Sequence, residues 1–110
     1  MPIDNLNMDE VTEERRKALA ASIRSISIEE LKTLGAELFP TMDHPWRETY
    51  FDFLKENAGA SFYHATTLDH VHFIYCAEKD KGLWFLPDSG KGPLGPRGLA
   101  IMKDLAAGAH

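Results

Sequence analysis

Hydropathy periodicity places this 110-residue chain in the α+β class, with three N-terminal helices, a three-stranded antiparallel meander and a short C-terminal helix. Apolar residues recur at helical spacing up to Asn57, and the pattern then switches to period two between Ser61 and Pro87. A Gly/Pro-rich stretch follows, and the helical period returns after Pro96.

The first helix is expected to start at an Asp9 or Thr12 cap and run to about Arg24, with a thin apolar stripe of Val11, Leu19, Ile23 and Ile26. So weak a stripe suits a surface helix or one that meets a second chain. "SIEE" is a capping box with Ser27 as cap and Glu30 reaching back, and it opens a helix striped with Ile28, Leu31, Leu34, Leu38 and Phe39. Pro40 ends it. The third helix, within "TMDHPWRETYFDFLKENAG", takes Asp43 as cap and Pro45 in its first turn, and Gly59 ends it in the left-handed conformation. "SFYHATT" and "HVHFIYCA" read as strands joined by a turn at Thr67–Asp69, and "EKDKG" as a tight turn into "GLWFLP", with Gly82 in the left-handed position. "PRGLAIMKDLAAG" closes the chain as a helix. Residues 1–8 read as a flexible tail and 9–110 as a single domain.

Composition narrows the function classes. A net charge of −5 argues against nucleic acid as the main partner. No apolar run approaches the length of a membrane span. A lone Cys76 allows no internal disulfide, and in its apolar run it reads as an inert buried thiol rather than a nucleophile paired with His72. With no apolar N-terminal segment, the expected setting is cytoplasmic.

Strand register yields the candidate site. Pairing Thr66 with His70, His64 with His72 and Phe62 with Ile74 puts all six side chains on one face. A bulge at Gly82 adds Trp84 and Leu86 to it. The other face, Tyr63, Ala65, Val71, Phe73, Tyr75, Ala77, Leu83 and Phe85, is uniformly apolar and should pack on the helices. The mixed face is too apolar for open water, so Phe62, His64, His70, His72, Ile74, Trp84 and Leu86 are expected to form an interface in a homodimer or with a protein partner, or to line a ligand site. No cofactor is expected. An alternative is an enzyme in which His64, His70 and His72 hold zinc or iron, since H-x-H on a strand aims two imidazoles to one side and a neighbouring strand supplies the third.

Gly90, Gly92 and Gly95 spell G-x-G-x-x-G, but the second parallel strand of a dinucleotide fold and its acidic residue are missing, and Pro93 removes a donor. The phosphate-loop pattern fails as well, because Gly92 follows Lys91 where Ser or Thr belongs. What survives is a helix start at Gly95, Arg97 and Gly98, with Lys91 nearby, where a small anionic ligand or nucleotide would dock. The favoured expectation is a self-associating binding or interaction domain rather than an enzyme.

Overall fold

A computed structural model describes residues 13–68, 70–86 and 90–108. The expected tail and the Asp9 or Thr12 cap lie outside them. The chain order is α1 (Glu13–Ser22), β1 (Arg24–Ile26), α2 (Ile28–Leu38), α3 (Arg47–Glu56), β2 (Phe62–Thr66), β3 (His72–Cys76), β4 (Lys81–Leu86), β5 (Gly90–Pro93) and α4 (Pro96–Ala107). The α+β class stands, but the expected element plan does not. The antiparallel sheet has five strands in the order β1-β2-β3-β4-β5, and one of them lies between the first two helices.

Helices cover both faces of the sheet. One face joins Phe62, Ile74, Cys76 and Phe85 to Leu31 of α2, Phe39 beyond its end, and Tyr50, Phe53 and Leu54 of α3. The other joins Ala65, Phe73 and Tyr75 to Leu19 of α1 and Met102 and Ala106 of α4. α1 is therefore no loose surface helix. Leu19 is fully buried, and Arg16 pairs with Asp104 of α4 at 3.0 Å. That pair is exposed on both sides and contributes little.

Local signals explain most helix boundaries. The capping box forms as the sequence implies: Glu30 N–H donates to Ser27 Oγ at 3.1 Å, and Ser27 N–H to Glu30 Oε1 at 3.3 Å. α1 stops at Ser22 because the chain is drawn into the sheet. Ser22 Oγ accepts the Thr66 N–H at 2.9 Å, prolonging by a side chain the pairing that β1 makes with β2. α3 starts later than expected. Asp43 does not cap it; Trp46 occupies the cap position with no side-chain bond, after turns closed by His44 N–H to Thr41 O and Arg47 N–H to His44 O. Asn57 Nδ2 donates to Phe53 O at 2.8 Å and finishes the helix.

α2 and α3 meet at one close contact. Tyr50 donates its hydroxyl to Leu31 O at 2.5 Å, and its ring lies over Gly35, where an added Cβ would stand 2.4 Å from Cε1. Gly35 thus occupies a helix interior for packing and at a cost in helix propensity.

Two hairpins set the register. β2 and β3 pair Thr66 with His72, His64 with Ile74 and Phe62 with Cys76, two residues from the expected pairing. Thr67 N–H donates to Val71 O at 3.0 Å, and Val71 N–H returns to Thr67 Oγ1 at 3.0 Å, which leaves a three-residue loop. His70 sits in it at φ 65°, the left-handed position that ends such loops. A two-residue shift keeps every side chain on its face. The β3–β4 hairpin differs by an odd number: His72 pairs with Phe85, Phe73 with Trp84 and Ile74 with Leu83. Asp80, at φ 50°, takes the left-handed role assigned to Gly82, and Gly82 becomes part of β4. Phe85 and Leu83 therefore join the α2/α3 face, while Trp84 and Leu86 go to the α1/α4 face.

The glycine-rich segment is a strand rather than a loose connection. Gly90 pairs with Leu86 and Gly92 with Trp84. The Trp84 indole lies across Gly92, where a Cβ would come within 2.8 Å of Nε1.

Two outcomes are expected from this packing. Gly35→Ala should destabilise the protein by about 1–3 kcal/mol despite alanine's better helix propensity, because the hydroxyl bond prevents the Tyr50 ring from yielding; urea unfolding measures it. His70→Gly should instead stabilise by up to about 1 kcal/mol by relieving the left-handed backbone, readable as a raised thermal midpoint.

Candidate functional site: an aromatic pocket beside a histidine pair

Alternation in β2 and β3 and the pairing of β4 bring His64, His72 and Phe85 side by side on the α2/α3 face. His64 Nε2 and His72 Nδ1 are 3.0 Å apart. The two ring planes differ by 14° and the centroids lie 5.2 Å apart. That separation exceeds the nitrogen-to-nitrogen distance by about two ring radii, so the imidazoles meet edge to edge in nearly one plane, the geometry of an N–H···N hydrogen bond. His72 in turn lies parallel to the Phe85 ring, 5° between planes and 5.1 Å between centroids.

Both histidines are held in the neutral form. Burial, reinforced by His72 and Arg24, pushes His64 down to about 4. Burial and the neighbouring His70 lower His72. Two neutral imidazoles can share one proton, with one ring donating and the other accepting. A second added proton would place N–H groups on both facing nitrogens and break the bond.

On the far side of Phe85 is a cavity of about 140 Å³. α3 and the segment before it supply Trp46, Thr49 and Tyr50, Phe39 comes from the end of α2, and β4–β5 supply Leu83, Trp84, Phe85, Gly92 and Pro93. Alternation sends the Trp84 indole to the opposite face, so Trp84 offers the cavity main chain. The aromatic walls are mutually braced. Phe39 and Tyr50 each stand 5.5 Å from Phe85, and Tyr50 meets it perpendicularly. His44 packs against Phe39 at 4.8 Å and against Trp46 at 5.3 Å. Arg47 donates to Phe39 O and lies 5.1 Å over the Phe51 ring. Burial raises the Tyr50 hydroxyl, whose proton is committed to Leu31 O. Besides the indole N–H of Trp46, the lining carries the Thr49 hydroxyl as a side-chain polar group.

The structure redistributes the residues singled out from sequence. Phe62, His64 and Ile74 share the expected face, but α2 and α3 cover it: Phe62 is 1% exposed and Ile74 0%. Trp84 and Leu86 pack on the opposite face against α1 and α4. The seven residues are therefore no single surface, and the reason for expecting self-association there disappears. His70 is exposed on its turn rather than on the strand, so the expected trio is a pair. Among the described residues no group of three His, Cys, Asp or Glu side chains is placed to hold a metal ion. Cys76 is buried. Lys91 lies in β5, Gly95 caps α4 without a side-chain bond, Arg97 is exposed and Gly98 buried. No described helix is long and apolar enough to cross a membrane. No protein-family model, characterised protein or solved structure matches the chain.

The histidine pair makes stability depend on pH. Unfolded, His64 binds a proton near pH 6.5; folded, it refuses one until about pH 4. Its contribution is fully present above about pH 6.5 and is lost as pH falls toward 4, to a total of about 3 kcal/mol. Between pH 6.5 and 5 the loss should be about 1–2 kcal/mol, a window that lies above the range in which Glu30 and Glu78, both lowered, lose their own contributions. Urea-unfolding free energies across that window should fall with pH in the native protein and fall less steeply in His64→Gln, where the lowered His72 alone still opposes a proton.

Proposed function

We propose that this chain is a binding domain, and that its site is the aromatic pocket, which takes a neutral guest no larger than a single six-membered ring. The supporting observation is the cavity itself, about 140 Å³ walled by Phe39, Trp46, Tyr50, Leu83 and Phe85. A cavity of about 150 Å³ with apolar walls holds benzene. No charged side chain is among the lining residues, so a charged guest would be desolvated without a partner, at a cost of several kcal/mol. Thr49 can bond one polar substituent on the ring. The imidazoles lie behind Phe85, out of reach of a guest, which favours binding over acid–base catalysis.

The test uses phenol and cyclohexanol as neutral probes and benzoate and benzylamine as charged ones. The neutral rings should raise the melting temperature in proportion to occupancy, about 2.7 kcal/mol at one hundred times the dissociation constant. Charged rings should bind at least about tenfold more weakly. Thr49→Phe, which fills the cavity from its rim, should abolish the response while leaving the fold intact. Absence of stabilisation by either neutral ring up to its solubility would remove this reading.

A further inference from the structure

A second cavity, of about 240 Å³, adjoins the aromatic pocket. The two share the cross-strand pair Leu83–Pro93 as a common wall. Phe53, Leu94 and Leu99 continue the apolar lining of the second cavity, and Asp80 and Lys81 bring charge to it. Resting on the pocket reading above, we infer that the ring in the pocket is one end of a longer ligand, an arylalkyl amphiphile whose chain crosses Leu83 and Pro93 into the second cavity and whose anionic head meets Lys81.

Both neighbouring elements run past the two cavities in the same sequence. On α3, Thr49 and Tyr50 line the pocket, and Phe53, one turn further along that side of the helix, lines the second cavity. On β4, Lys81, Leu83 and Phe85 alternate with Gly82 and Trp84, so they stand in a row on the α2/α3 face. The row leads from the pocket wall at Phe85 to Lys81, about 13 Å at the ordinary strand rise. Between its ends Leu83 is half-buried and Pro93 exposed, so a chain crosses that pair without displacing the core.

The charges give the head group its sign. Lys81 is exposed and makes no ion pair among the described residues. Asp80, the other charged residue of the lining, accepts the Tyr75 hydroxyl at 2.9 Å, and Tyr75 packs on the α1/α4 face. That carboxylate is therefore drawn away from the row that ends in Lys81, and a head group there meets a cation. A charge carried directly on the ring would instead be buried among Phe39, Tyr50 and Phe85. The chain separates the two demands, keeping the ring dry and the head in water beside the ammonium. Lysine offers a point charge, so carboxylate and sulfate heads are served alike.

The experiment compares phenol, phenylacetate, ω-phenylhexanol and ω-phenylhexanoate by calorimetry on the full chain at neutral pH and low salt, where an exposed charge pair is least screened. Phenylhexanol should bind about tenfold or more tightly than phenol, because its chain leaves water. Phenylhexanoate should match phenylhexanol, whereas phenylacetate, too short to reach Lys81, should bind more weakly than phenol. Lys81→Glu should weaken phenylhexanoate by about fivefold or more and leave phenylhexanol within about twofold; near-ultraviolet circular dichroism confirms that this variant is folded. Thr49→Phe should weaken both long ligands by about tenfold or more, because their ring loses its seat. Phenylhexanol no tighter than phenol, or phenylhexanoate indifferent to Lys81→Glu or to Thr49→Phe, would each overturn the amphiphile and leave the pocket standing. Failure of phenol itself to bind would take down the pocket reading and this one with it.

Discussion

The rest of this structure depends on β3 having no solvent side. Val71, Phe73, Ile74, Tyr75 and Cys76 are all buried, the last four in consecutive strand positions. A strand apolar on both sides must lie inside a covered sheet. Two helix pairs meet that demand: α2 and α3 on the side of Ile74 and Cys76, α1 and α4 on the side of Phe73 and Tyr75. The short connections and the early end of α1 follow from it. α1 must finish on one side of the sheet so that α2 can begin on the other, and β1 is the crossing point. Within three residues it places Ile26 in the α2/α3 core, while Leu19 and Ile23 of the preceding segment remain in the α1/α4 core.

Much of the candidate site hangs on one turn. Ala77–Asp80 closes the β3–β4 hairpin with Asp80 in the left-handed region. Had Gly82 taken that conformation, as its residue type suggests, β4 would slip and its faces would exchange. Phe85 would leave His72, and the Trp84 indole would crowd toward Tyr50. Instead Trp84 lies over Gly92 on the opposite face, and Phe85 completes the aromatic wall. Asp80 is held there by more than backbone preference, since the Tyr75 hydroxyl donates to its carboxylate at 2.9 Å.

This explains what could be read from the sequence. Signals confined to a few neighbouring residues were legible: the Ser27–Glu30 capping box, Pro96 opening α4, the alternation that puts Phe62, His64 and Ile74 on one face and Phe73 and Tyr75 on the other. Signals that depend on distant partners were not. "RSI" has no period of its own and becomes a strand because β2 pairs with it. "GKGP" looks like punctuation, yet β4 and the Trp84 ring make it a strand. The histidine pair was half visible, since alternation supplies His64 and His72 but only the hairpin loop reveals that His70 is not a third member. The pocket was invisible, because its walls come from α2, α3, β4 and β5 and no sequence window contains two of its helices and its sheet together. Trp46 and Tyr50 stand at helical spacing, the pattern of a core face, and Tyr50 is indeed buried.

The placement of the pocket follows from how the sheet ends. Leu94 N–H donates to Gly82 O at 3.0 Å. In an antiparallel ladder alternate residues face the partner, so Gly90 and Gly92 direct their main-chain groups to β4, and Lys91 and Pro93 direct theirs to the open edge. Proline has no N–H, so at that position the edge lacks a donor and offers a poor template for another strand. β5 is thus an edge that resists extension. The α2–α3 pair, locked together at Gly35 and Tyr50, cannot shift outward to cover it, because the Tyr50 ring and hydroxyl fix the spacing between the two helices. The uncovered strip between α3 and β5 is bridged by what the α2–α3 connection can reach, Phe39 and Trp46, and these leave a gap about the size of one ring. The same rigid helix contact that buries the centre of the sheet therefore leaves its margin short of one aromatic group.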